Sequence, residues 1–174
     1  MEYLIDQARV FRARAAAHSL DLTEHAQVRR PRAMFITCSD ARLVPALLTA
    51  SRPGDLYELR NQGGLIPPYD PWKHTAETRT VEHAVRDLKV TDIIVCGHSR
   101  CEAVDDAVAG DDEPSAIAAA GHWHTLTQLD QLSDYPCVTP RLADRSLRLH
   151  AWYYEVDTGS TSEYDARTSV FLPL

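Results

Sequence analysis

At 174 residues, with 44% hydrophobic content and mixed charge, the chain has the composition of one soluble globular domain, which excludes fibrous and disordered classes. Its 18 basic and 25 acidic residues leave a net charge of -7, which argues against nucleic acid or an anionic membrane as partner and points to small solutes. No apolar stretch approaches the roughly 20 residues that span a bilayer, and the N-terminus, with Glu2 and Asp6, lacks the form of a signal peptide. A cytoplasmic protein is expected.

In chain order, residues 2 to 19 carry Leu4, Ile5, Ala8, Phe11 and Ala15 at helical spacing, which predicts an amphipathic helix lying on something apolar, a partner subunit included. Residues 21 to 32 are polar and basic, ending in Arg29-Arg30-Pro31-Arg32, and read as a loop. The run Met34 to Thr37 then reads as a buried strand that ends in Cys38-Ser39-Asp40-Ala41-Arg42. Leu43 to Thr49 forms a short helix or turn, Arg52-Pro53-Gly54-Asp55 is a turn, and Leu56 to Arg60 is a second strand. Asn61-Gln62-Gly63-Gly64 follows, with backbone freedom that lets the chain pass close to a ligand.

A helix is predicted from Thr75 to Leu88, with Val81, Ala84, Val85 and Leu88 on one face, leading to a strand from Asp92 to Gly97 that ends in His98-Ser99-Arg100-Cys101. Residues 101 to 109 read as helix, 110 to 114 as a break, and about 122 to 132 as a further helix. Its His122 and His124, two apart, face different sides and are read as surface residues. Residues 147 to 153 alternate as a strand, and Asp157 to Ser160 turns into a last strand around Tyr164. Strands separated by helices predict an α/β fold, a mainly parallel β-sheet flanked by helices, in one domain over 1–174: an N-terminal helical arm over 1–27 and a core over 28–165.

Both apolar strands end in groups that bind metals. Zinc prefers thiolate and imidazole in a tetrahedron, and Cys38, His98 and Cys101 supply three such ligands at the carboxyl ends of strands, where parallel sheets gather their chemistry. Asp40 is either a fourth ligand, which closes the site, or is drawn off by Arg42, which leaves that position to water. Water on zinc has its pKa lowered towards about 7, so hydroxide becomes available to attack a small electrophilic carbon. The other cysteines, Cys96 and Cys137, read as buried filling.

At these residues the chain resembles the β-class carbonic anhydrases. Cys38-Ser39-Asp40-Ala41-Arg42 resembles the family's C-x-D-x-R, and Gly97-His98-Ser99-Arg100-Cys101 its G-H-S-x-C; Pro53-Gly54-Asp55, Arg60-Asn61, Pro67-Pro68 and Trp152 to Gly159 also fall where the family has them. The resemblance implies Zn2+ on Cys38, His98 and Cys101, with Asp40 and Arg42 as the gate and orienter of a lyase that reversibly hydrates carbon dioxide to bicarbonate. It also implies a homodimer or higher even-numbered assembly, with the N-terminal helix across the partner and the active site at the interface.

Around the metal ligands the sequence departs from the family. Arg29 stands where glutamine is usual, Ser51 where an aromatic is common, His83 for tyrosine, Gln62 beside Gly63 for a small residue, and Glu102 for glycine. A more polar pocket leaves two alternatives open. One is a zinc enzyme of this fold acting on carbon disulfide, carbonyl sulfide or a carboxylated metabolite held by Arg29. The other is a non-catalytic homologue, stabilised by zinc and used for binding or assembly, with Asp40 permanently on the metal.

Overall fold

The computed structural model describes residues 1–18, 20, 22–25, 30–105 and 114–174. The N-terminus forms α1 (Glu2–Arg9), α2 (Phe11–Ala17) and α3 (Leu22–His25). The single amphipathic helix expected over residues 2 to 19 is broken at Val10, and a short helix interrupts the expected loop over 21 to 32. Within one chain, α1 buries nothing and α2 buries only Ala15, so their apolar residues Tyr3, Leu4, Val10 and Phe11 are left exposed.

The core alternates as expected: β1 (Ala33–Cys38), α4 (Pro45–Leu48), β2 (Leu56–Asn61), α5 (Ala76–Glu82) running into a π-helical turn at His83–Leu88, and β3 (Asp92–His98). Then come α6 (Glu102–Asp105), α7 (Pro114–Ser133), α8 (Thr139–Ala143), β4 (Arg148–Tyr154), β5 (Thr161–Asp165) and β6 (Val170–Pro173). Helix α7 begins well before the expected residue 122 because Ala116, Ala118, Ala119 and Ala120 offer no contrast between faces, so periodicity is silent there. Of the helix expected over 101 to 109 only α6 falls within the described residues, and most of the expected break after it lies outside them.

Among the described residues, six strands form one sheet in the order β2-β1-β3-β4-β5-β6. β2, β1, β3 and β4 run parallel, whereas β5 and β6 are added antiparallel at one edge. Strand β6 was not legible in the sequence and carries the sheet past residue 165, the expected limit of the core.

Alternation in the strands sends Met34, Ile36, Ile93 and Val95 to one face, where they pack with Val81 and Val85 of the α5 segment and Leu132 of α7. Phe35, Ile94 and Cys96 go to the other face with Leu43, beside Trp152 and Tyr154. Both central strands are therefore apolar on both sides, as buried parallel strands are. Helix α7 lies close against β3 because position 97 has no side chain: a Cβ there would come within 2.0 Å of Thr125 Oγ1.

Candidate metal centre

Strand order reverses between β1 and β3. The chain leaves β1 for β2 on one side and, after α5, returns to β3 on the other. In open α/β sheets the crevice beyond the carboxyl ends of two such strands is where ligands bind. Here the pairing of β1 with β3 stops at Thr37–Cys96, and the next residues, Cys38 and Gly97-His98, face that opening.

Cys38, His98 and Cys101 are all buried, and their ligand atoms lie within 4.8 Å of one another. His98 Nδ1 is 2.9 Å from the carbonyl of Ser99. A carbonyl only accepts, so Nδ1 carries the proton and Nε2 keeps its lone pair. That Nε2 is buried with no hydrogen-bond partner among the described residues, a loss of about 1–3 kcal/mol that a bound cation removes.

The sulfur atoms are prepared in the same sense. Cys38 Sγ accepts hydrogen bonds from the backbone N–H of Asp40 (3.4 Å) and of Gly63 (3.3 Å). Cys101 receives the backbone N–H groups of Ala103 and Val104, although burial and the neighbouring Cys38 push its thiol up to about 11. Two sulfurs and one imidazole nitrogen, converging in a buried place, fit a zinc ion.

Asp40 and Arg42 meet in a two-point ion pair. Arg42 Nε lies 3.0 Å from Oδ1 and Nη2 lies 2.6 Å from Oδ2, and the Arg42 backbone N–H also donates to Oδ1. The hydrogen bonds from the Arg42 guanidinium and backbone hold this carboxyl well below the usual carboxylate range against the effect of burial. Both carboxylate oxygens are thus engaged by Arg42, and Asp40 does not join the group of three ligand atoms. Arg42 Nη2 is itself held by the carbonyl of Arg100, whose side chain pairs with Asp157.

The other sequence-predicted pocket residues divide into three groups. Gln62 and Glu102 line a cavity with Cys38, Ser39, Asp40, Ala41 and Ala103, and Gly63 touches Cys38 through its N–H. Ser51 and His83 do not join them within one chain. Ser51 lines a separate cavity with Arg32, Ala33 and Leu56 at the opposite end of β1, roughly 16 Å from Cys38 at the rise of an extended strand. His83 is exposed, bonds to Asp87 and packs on Tyr57, which pairs with Met34 near that same end. Arg29 lies outside the described residues.

Two neighbours of the site were missed. Arg60 donates to the carbonyls of Cys38 (3.2 Å), Asp40 (2.9 Å) and Leu43 (2.7 Å), fixing the turn that presents the thiol and the carboxylate. Its place on the strand next to β1 was a usable signal. His124, read as a surface residue, instead donates from Nε2 to the carbonyl of Gly63 at 2.8 Å, and His122 is wedged between Tyr153 and Phe171. Nothing in the local sequence marks either contact.

The family model for carbonic anhydrase matches residues 33–126, more than half of the chain. A carbonic anhydrase of Pseudomonas aeruginosa is 34% identical over 83% of this chain and 78% of its own length. The chain belongs to the β-carbonic anhydrase family. Another relative, a carbonic anhydrase of Synechococcus elongatus, is 32% identical over 97% of this chain and 73% of its own. Among solved structures, the β-carbonic anhydrase CcaA superposes with a TM-score of 0.90 at 31% identity, covering 100% of this chain and 92% of that one. One of two tetrameric β-carbonic anhydrases from Sordaria macrospora shares the fold, with a TM-score of 0.82 at 21% identity over 93% of this chain and 95% of that one.

Proposed function

We propose that this protein is a zinc-dependent carbonic anhydrase, a lyase that interconverts carbon dioxide and bicarbonate. The observation that carries the reading is the buried Cys38, His98 and Cys101 cluster, with an unpartnered His98 Nε2, beside a carboxylate that Arg42 keeps charged. Cys38 and Cys101 would hold the metal as thiolates and His98 through Nε2. When bound there, zinc supplies Lewis acidity that lowers the pKa of water to about 7 and so makes a nucleophile available at neutral pH.

The chain's own residues do the rest. Asp40 is an acceptor only, so it takes a hydrogen bond from the attacking water and aims the oxygen lone pair at the carbon of carbon dioxide. Arg42 fixes the plane of that carboxylate, and Arg60 fixes the backbone beneath it. Gln62, on the cavity wall, has an amide that can donate to a bicarbonate oxygen, while the negative charge of Glu102 disfavours a long stay of the anion.

Stopped-flow hydration of carbon dioxide at about pH 8.5, zinc-loaded against zinc-free, tests the reading. Fast turnover that depends on zinc is expected. A fully zinc-loaded protein without turnover would overturn it.

The working unit in this reading is a homodimer or a higher even-numbered assembly. What supports it is the exposed apolar face of α1 and α2, where Tyr3 is 71% and Leu4 64% exposed, which a second copy would cover. Light scattering on the wild type and on a Leu4→Asp, Phe11→Asp variant checks this, with a shift towards monomer expected. A cytoplasmic location accords with four cysteines that are all free and buried, and no described helix is long and apolar enough to cross a membrane.

A further inference from the structure

The segment that carries Gln62 and Gly63 past the thiol of Cys38 is gripped by α7. His124 Nε2 donates to the carbonyl of Gly63 at 2.8 Å, and Gln128, one turn further along the same face, accepts the backbone N–H of Ile66 at 2.8 Å. Gly63 is buried in a left-handed conformation (φ 72, ψ 0), and in that geometry its N–H reaches Cys38 Sγ while its carbonyl reaches His124. The N–H and the carbonyl lie in the two peptide planes that meet at the Gly63 Cα, so a shift of that Cα displaces both, and the grip of His124 and Gln128 fixes where it sits. Gly63 is hemmed in as well, since a Cβ there would meet Ala103 Cβ at 2.9 Å, two residues past Cys101.

We infer that His124 is a positioning residue for the metal centre: by clamping the Gly63 carbonyl to α7 it holds the Gly63 N–H on the Cys38 sulfur. An N–H aimed at a thiolate draws off part of its charge and fixes its direction, so this contact tunes how strongly Cys38 donates to a metal and how fast the metal escapes. The carbonyl can only accept, so Nε2 serves here as a proton donor and any side chain that donates from the same place replaces it. The inference rests on the reading of Cys38 as a zinc ligand.

Its test does not need turnover. Zinc release to an excess of chromophoric chelator is followed for wild type, His124→Leu and His124→Gln, and the sulfur-to-metal absorption band is recorded for each with cobalt in place of zinc. His124→Leu should release zinc about 10-fold faster or more and shift the cobalt band, while His124→Gln, whose amide can donate to the same carbonyl, stays near wild type. The inference is overturned if His124→Leu keeps the wild-type release rate and band, even with a lowered melting temperature, since that describes a staple of the fold alone. It is equally overturned if His124→Gln behaves like His124→Leu. A wild-type protein that binds zinc but does not hydrate carbon dioxide would sink the proposed reaction and leave this result standing.

Discussion

Asp40→Asn is the substitution that separates holding the metal from using it. The change is isosteric, but it removes the charge and turns one oxygen into an N–H donor. In the wild type Arg42 donates to Oδ1 from Nε and its backbone N–H, and to Oδ2 from Nη2 at 2.6 Å. An asparagine can keep the Oδ1 contacts, but its Nδ2 then faces the Nη2 donor, so the side chain must turn away or lose its orientation. The attacking oxygen would lose its acceptor and its alignment together. Misplacing an attacking group by loss of its orienting acceptor costs on the order of 100-fold, which corresponds to about 2.7 kcal/mol of activation free energy. The expected result is a fall of about 100-fold or more in kcat for carbon dioxide hydration, with zinc content unchanged because none of the three ligand side chains is altered.

Stopped-flow turnover and metal analysis on the same preparation read both quantities. Full turnover in Asp40→Asn would show that the carboxylate neither orients nor accepts, and loss of zinc would show that it is itself a ligand. The pH dependence has a definite sign. The folded-state pKa of Asp40 is lowered, so its contribution to stability is complete above the unfolded value of about 3.9 and is lost as pH falls through the folded value. The acid side of the unfolding profile should therefore be flatter in Asp40→Asn than in wild type.

Three further outcomes follow from the same structure. His98→Ala, which removes the unpartnered Nε2 donor, should bind zinc far more weakly, and its thermal unfolding should no longer respond to chelator as the zinc-loaded wild type does. Gly97→Ala puts a Cβ 2.0 Å from Thr125 Oγ1 and should destabilise the fold by about 1–3 kcal/mol in urea unfolding; an unchanged midpoint would mean that α7 does not sit against β3 as described. At Asp92, burial raises the carboxyl's pKa, but hydrogen bonds from Arg148, Thr91 and His150 outweigh it and hold the value at about 2. Its contribution is complete above about pH 3.9 and lost as pH falls towards 2, so the gap in stability between wild type and Asp92→Asn should close over that window.

The central strands were legible because their cause is local. An apolar run of six or seven residues, too short for a buried helix of ordinary length, satisfies its backbone by pairing in a sheet, and the two-sided burial of Phe35 and Ile36, or of Ile93 and Ile94, follows from that. The donor chemistry of Cys38, His98 and Cys101 was equally legible, since thiol and imidazole are properties of the residue. Strand β6 and the start of α7 were not, because Val170 to Pro173 is too short and the alanines of α7 too uniform to show a period.

Orientation and distant contact were decided by tertiary structure alone. Which nitrogen of His98 is left free depends on the Ser99 carbonyl, and whether Asp40 turns to Arg42 depends on a guanidinium that Arg100 holds in place. Ser51 and His83 were assigned to the pocket from the family resemblance, yet within one chain the six residues of β1 put them at the far end of the sheet from Cys38. Arg60 and His124 reach the site across 22 and 61 positions of sequence. A residue's type fixes what it can donate, accept or ligate, but only the packing of β2 against β1 and of α7 against β3 fixes what stands beside it.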